Sequence, residues 1–207
     1  MLPTHPLTEW LTHPSPDAGV YLADAADGWQ VQSYPELAAA ARRVAAALAA
    51  EGVRPGDTVC VLMPTGYPAL SAIFGVWTAG ATVCPIVPPS FQPADEYIRH
   101  VAAIVGQAAP RLTISSAEFV PLIGAALNPS GQPGLPWVLR EGGEELSPRP
   151  PGELALLQFT SGSTGRPRGV RVSWDNLVCR AVNYDCKYVL WSYAFCDVGY
   201  CGIRADR

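Results

Sequence analysis

Phe159-Thr160-Ser161-Gly162-Ser163-Thr164-Gly165-Arg166-Pro167-Arg168-Gly169 follows closely on an apolar run, Leu154-Ala155-Leu156-Leu157. A buried strand that opens into a flexible, polar loop at the edge of a sheet has this pattern. Within the loop, Gly162, Gly165 and Gly169 let backbone N–H groups turn toward an anion. Thr160, Ser161, Ser163 and Thr164 add hydroxyl donors, and Arg166 and Arg168 add fixed positive charge in a forked geometry. Such a set suits the phosphates of a nucleotide. A solvent-exposed Gly/Ser linker would not demand this residue order.

The nucleotide-triphosphatase phosphate loop, G-x-x-x-x-G-K-[ST], does not fit. Pro167 stands five residues after Gly162 and Val170 five after Gly165, and neither glycine leads to a Gly-Lys-Ser/Thr.

Outward from the loop, the chain alternates helix and strand. Val170 to Ser173 reads as the return strand of a hairpin, and Ser173 or Asp175 as the cap of a helix running on through Leu177. Upstream, 128–152 is rich in Pro, Gly and Glu and reads as an exposed connection around one short strand at Trp137 to Leu139. Before that come a weaker helix at Ala117 to Leu127, a strand at Arg111 to Ser115 and a helix at Asp95 to Gln107.

No charged residue occurs from Thr58 to Ala94. Pro64, Gly66, Pro68, Gly75, Gly80 and Pro85 interrupt this stretch, and a spanning helix needs roughly 20 continuous apolar residues. It therefore reads as strand 58–63, helix 67–79 and strand 81–87 inside a core, with no membrane span.

Ser33-Tyr34-Pro35-Glu36 has the form of a capping box. Leu37, Ala41, Val44, Ala45 and Leu48 give the following helix an apolar face, and Gly52 and Pro55-Gly56-Asp57 stop it. Trp29 to Ser33 reads as a short edge strand. Alternating elements of this kind predict an α/β fold: a mostly parallel sheet with helices on both faces.

Composition agrees. The 207 residues are 49% hydrophobic and 15% charged, with net charge −4, the profile of a soluble globular chain. A mildly acidic balance argues against nucleic acid as a partner. Met1-Leu2-Pro3-Thr4-His5-Pro6 lacks the basic start and apolar core of a secretory signal, so the expected compartment is the cytoplasm.

The loop resembles the phosphate-binding signature of the adenylate-forming (AMP-binding) enzymes: acyl-CoA synthetases, luciferases and peptide-synthetase adenylation domains. That signature reads roughly [YF]-T-S-G-[ST]-T-G-x-P-K-G. Ten of the eleven positions fit, counting the free one, and the departure is Arg168 in place of lysine. The likeness extends over roughly residues 15 to 178, taking in the helix after Ser33, Pro55-Gly56-Asp57-Thr58-Val59 and Gly75-Val76-Trp77-Thr78-Ala79-Gly80-Ala81. It implies a partial AMP-binding N-terminal domain at 15–178, an N-terminal extension at 1–14 and a divergent Cys/Tyr-rich tail at 179–207. Pro85-Ile86-Val87-Pro88-Pro89, followed by Tyr97 to Ala108, is similar to fatty acyl-AMP ligases, which pass long acyl chains to a carrier-protein thiol.

The resemblance implies a reaction in two steps. A carboxylic acid, in the fatty acyl-AMP ligases a fatty acid, attacks the α-phosphorus of ATP, with Mg²⁺ expected, to give acyl-adenylate and pyrophosphate. A thiol of acyl carrier protein or coenzyme A then takes the acyl group. Thr160, Ser161, Ser163 and Thr164 are expected to donate to the β- and γ-phosphates. Gly162, Gly165 and Gly169 allow close backbone approach, and Arg166 or Arg168 offsets charge as pyrophosphate leaves. Arg168 is the better candidate because it occupies the signature's lysine position.

In the tail, Trp191, Asp197 and Gly199 echo the next family motif, W-L-P-x-[YFH]-H-D-x-G, with Cys196 where histidine is expected. Four of the six cysteines lie between 179 and 201. Their spacing does not make two zinc-type pairs, so plain thiols are the expectation. The family's adenine-binding segment, its Mg²⁺-coordinating acid, its ribose-binding aspartate and its C-terminal lysine are not found in these residues. Two readings therefore stay open: a truncated acyl-adenylating ligase, inactive alone, or a non-catalytic remnant that binds nucleotide weakly or with a partner chain.

Overall fold

The computed structural model describes residues 6–23, 28–89, 92–127, 135–160 and 166–177. After a short helix α1 (Pro6–Glu9), strands β1 (Gly19–Ala23) and β2 (Trp29–Ser33) form an antiparallel pair of their own. Six strands make the main sheet: β3 (Thr58–Leu62), β4 (Thr82–Pro85), β5 (Leu112–Ser115), β6 (Leu135–Val138), β7 (Leu154–Thr160) and β8 (Arg168–Ser173). Their spatial order is β6-β5-β3-β4-β7-β8, parallel throughout except for the final β7–β8 hairpin.

Helices α2 (Tyr34–Ala50) and α3 (Tyr67–Thr78) cover one face, and α4 (Ala94–Ala108) and α5 (Val120–Leu127) the other. Alternation along β3 decides which residue meets which layer. Val59 and Val61 pack with Val44, Leu48 and Val76, whereas Cys60 and Leu62 pack with Val101, Ile104 and Ile123. Both faces are apolar because both are covered, which explains why Thr58 to Ala94 carries no charge. Among the described residues no helix is long and apolar enough to cross a membrane.

The two helices of the first layer approach closely at Gly75. A Cβ there would stand 2.5 Å from Val44 Cγ1 and 3.2 Å from the Ala41 carbonyl oxygen. Glycine inside a helix costs roughly 0.5–1 kcal/mol of propensity relative to alanine. Here it is retained because the backbones approach too closely for a methyl group.

The capping box forms as expected. Glu36 N–H donates to Ser33 Oγ at 3.4 Å, and Ser33 N–H donates to the Glu36 carboxylate at 3.1 Å. The Ser33 hydroxyl and backbone bonds hold the Glu36 carboxyl below its usual range. A depressed carboxyl stabilises the fold at neutral pH and loses that contribution as pH falls through its lowered value. We expect Ser33→Ala to cost about 1 kcal/mol at pH 7, with the deficit shrinking in acid. Urea unfolding of both chains at the two pH values checks this; equal midpoints at pH 7 contradict it.

Several boundaries differ from the sequence expectation. Trp29–Ser33 is a strand, but it pairs with β1, five register pairs from Gly19↔Ser33 to Ala23↔Trp29, and does not edge the main sheet. The expected strand 81–87 spans Thr82–Pro85, where Pro85 has no N–H to extend the ladder. Ala117 to Leu127 begins as a 3₁₀ turn (Ala117–Phe119) before α5. The 139–152 connection is half exposed and nowhere fully buried, and it is tied to the first helical layer. Gly142 and Leu146 N–H groups donate to the Arg43 and Arg42 carbonyls, and Arg149 N–H to the Thr78 carbonyl. Arg42 and Arg43 also bridge to Glu145 and Glu141 at 2.7 and 2.5 Å.

Candidate functional site

The strand that leads into the candidate loop is seated by side chains. β4 and β7 share one register pair, Val83↔Leu156, and the β7–β8 ladder carries an irregularity between Leu154 and Leu156. Two donors from the α3–β4 segment add hydrogen bonds to this stretch. Trp77 Nε1–H donates to the Ala155 carbonyl at 2.8 Å, and the Thr82 hydroxyl to the Leu154 carbonyl at 2.9 Å. Trp77 is itself fixed between Phe74, ring centroids 5.6 Å apart, and Trp174, at 5.3 Å.

From there β7 runs parallel to β4 and delivers Thr160 to the carboxyl edge of the sheet, where open α/β sheets bind ligands. β8 returns antiparallel, with Thr160↔Arg168 and Phe159↔Gly169 as the outermost register pairs. Cross-strand partners project to the same face and neighbours to opposite faces. Phe159 packs on the α4–α5 layer, so Thr160 and Arg168 share the other face. Both are exposed. A Cβ on Gly169 would stand 3.1 Å from Phe159 Cζ, so the missing side chain here makes room for the ring.

Arg166 is exposed, Pro167 buried and Arg168 exposed. The two guanidinium side chains thus flank a docked proline. Among the described residues neither pairs with a carboxylate; the ion pair recorded on this hairpin, Arg171–Glu153 at 4.0 Å, lies toward its opposite end. Unpaired arginines at a loop base are free to bind a phosphate bidentately. Ser161, Gly162, Ser163, Thr164 and Gly165 lie outside the described residues, so of the expected set the structure places Thr160, Arg166, Arg168 and Gly169 at one hairpin end.

Ser173, and not Asp175, caps the helical turn at 174–177. Asn176 N–H donates to Ser173 Oγ at 3.2 Å and Ser173 N–H to Asn176 Oδ1 at 3.3 Å. Trp174 and Leu177 thereby enter the core beside Trp77. Sequence reasoning did not reach Trp77, Thr82 or Gln107 as supports of this hairpin. Each does its work through a hydrogen bond to a carbonyl 60 to 78 residues distant, which no local pattern signals.

Cys60 and Cys84 are register partners on β3 and β4, buried and unbridged. The hydrogen bond to Cys84 and burial push the Cys60 thiol well up, so it is no nucleophile. The tail cysteines and the Trp191–Gly199 echo lie outside the described residues. No group of three or more His, Cys, Asp or Glu among the described residues is arranged to hold a metal ion.

Comparison with known proteins gives a consistent result. The feruloyl-CoA synthase of an Amycolatopsis species is 34% identical over 161 residues, 75% of this chain and 31% of that protein. A structure from a study of fatty acyl-adenylate ligases of E. coli and L. pneumophila superposes with a TM-score of 0.74 at 24% identity, over 88% of this chain and 35% of that one. The L. pneumophila fatty acyl-adenylate ligase solved with acyl adenylate and pyrophosphate gives a TM-score of 0.70 at 26% identity, over 90% and 33% of the two chains. The chain thus spans about a third of the length of these relatives. The family model of the AMP-binding enzymes matches residues 9–202, and the chain belongs to that family.

Proposed function

We propose that the β7–β8 hairpin end grips the polyphosphate of ATP in an enzyme that adenylates a carboxylic acid and hands it to a thiol. The observation that carries this reading is the pair of exposed guanidinium groups, Arg166 and Arg168, without an ion-pair partner among the described residues, flanking a docked proline beside Thr160 at the carboxyl edge of the sheet. Arg168 is assigned to the departing pyrophosphate and Arg166 to the same phosphates. Ser161, Ser163 and Thr164, with Gly162, Gly165 and Gly169, complete the loop.

ATP fits what is present: cationic forks and a hydroxyl, with no carboxylate paired to the arginines among the described residues. Mg²⁺ would arrive with the nucleotide and offset its charge; the described residues supply no carboxylate cluster to hold it first. The substrate class proposed is a fatty acid and the acceptor a carrier-protein thiol, with coenzyme A as the alternative. Support for the fatty acid comes from the Pro85–Pro89 segment and from the fold likeness to fatty acyl-adenylate ligases. The aryl acid named in the feruloyl-CoA synthase is the competing substrate.

These residues span about a third of the length of their relatives, and on this reading they supply the phosphate grip and not a whole catalytic site. The 207-residue chain is expected to release no pyrophosphate from ATP and Mg²⁺ with any member of a panel of fatty and aryl acids. Acid-dependent release, lost in Arg168→Ala, would overturn the expected inactivity and support the grip. Release that survives Arg168→Ala would count against both.

A further inference from the structure

The return limb of the hairpin is held from outside the hairpin. Gln107, in the last turn of α4, donates through Nε2 to the Pro167 carbonyl at 3.0 Å, across 60 residues of sequence, and to the Ala103 carbonyl at 3.2 Å. One amide nitrogen thus joins the helix wall to the loop base, with both of its hydrogens used.

The loop base has few other constraints at this point. Proline has no N–H to add to a ladder, and the pairing recorded between β7 and β8 ends at Thr160↔Arg168, one residue past Pro167. The residue before a proline is restricted to extended conformations, so Arg166-Pro167-Arg168 is a stiff unit. A stiff unit held at its central carbonyl fixes the directions in which both flanking side chains leave the backbone. Phe159 under Gly169 constrains the next residue of the same limb.

We propose that Gln107 is a positioning residue for the polyphosphate grip: by holding the Pro167 carbonyl it fixes the backbone from which the Arg166 and Arg168 side chains reach the anion. This rests on the reading of the hairpin as that grip. Gln107 touches no substrate. Its contribution is to pre-organise the arginines, which lowers the ordering cost of binding. It does not require Gln107 for folding, since the side chain is exposed.

The test uses Gln107→Met, which keeps length and neutrality and removes the donor. Binding of labelled pyrophosphate in the presence of Mg²⁺ is measured for the 207-residue chain, for Gln107→Met and for Arg168→Ala, with thermal unfolding of each. A second measurement is independent of the ligand. Trypsin does not cut Arg166–Pro167 but can cut Arg168–Gly169, so the cleavage rate after Arg168 reports whether the limb is held.

The expected result is affinity about fivefold weaker in Gln107→Met, the size of one hydrogen bond, at an unchanged melting temperature and with faster cleavage after Arg168. Equal affinity and equal cleavage in wild type and Gln107→Met, with binding lost in Arg168→Ala, overturn the role of Gln107 and leave the grip standing. Absence of pyrophosphate binding in the wild-type chain overturns the grip and, with it, the positioning role.

Discussion

Arg168→Ala weakens pyrophosphate binding by the chain about thirtyfold, within the range for losing a charge-assisted hydrogen bond, and leaves the melting temperature nearly unchanged. Two opposing considerations set that size. Arg168 is exposed, so solvent and salt screen its charge, and an exposed ion pair alone is worth about 0–1 kcal/mol. A guanidinium fork on a phosphate held by several other donors is bidentate and ordered, and that geometry raises its contribution. The stability term is small because Arg168 makes no ion pair among the described residues and its backbone pairing with Thr160 survives truncation. Arg168→Lys keeps the charge and loses the fork, so it falls between the two. Equilibrium dialysis with labelled pyrophosphate at two salt concentrations checks the ranking. Equal affinity of all three chains contradicts the assignment.

Trp77→Ala destabilises the chain by about 3–5 kcal/mol, the largest stability effect expected of any substitution discussed. The side chain is 4% exposed and packs between Phe74 and Trp174. Its indole N–H also donates to the Ala155 carbonyl, and a hydrogen bond of this kind contributes about 0.5–1.5 kcal/mol. The two losses share one residue and do not simply add. Against a total stability of roughly 5–15 kcal/mol, truncation leaves a chain that is partly unfolded at modest temperature. Trp77→Phe separates the terms, since it retains most of the apolar packing and removes the donor. Its expected cost from the lost donor is about 0.5–1.5 kcal/mol, together with faster exchange of amide hydrogens along β7. A Trp77→Phe chain as stable as wild type would show that the bulge carbonyl has no need of the indole.

Much of this was legible before the structure. The apolar run at 154–157 and the turn chemistry after it predict a strand and a hairpin, and β7 and β8 are there. Uncharged Thr58 to Ala94 predicts a core covered on both faces, and β3-α3-β4 supply it. Local hydrogen bonding made Ser33 and Glu36 readable as a cap. What was missed is non-local or weakly patterned. β1 has only two inward residues, Val20 and Leu22, and the Asp27-Gly28 pair after it was the available hairpin signal. The tethering of 139–152 depends on main-chain bonds to Arg42, Arg43 and Thr78, and composition says nothing about such bonds. At the site, residue type marked out Arg166 and Arg168. Their supports, Gln107 and Trp77, belong to helices whose own patterns are satisfied by packing alone.

The most direct test of the polyphosphate grip is a ¹H–¹⁵N correlation spectrum of the 207-residue chain titrated with pyrophosphate and Mg²⁺. The account predicts saturable shifts concentrated in the amides and arginine Nε–H groups of residues 160–169, with a lesser response in the Gln107 side-chain amide. Shifts centred elsewhere on the sheet, or no saturable shift in a folded chain, would contradict it.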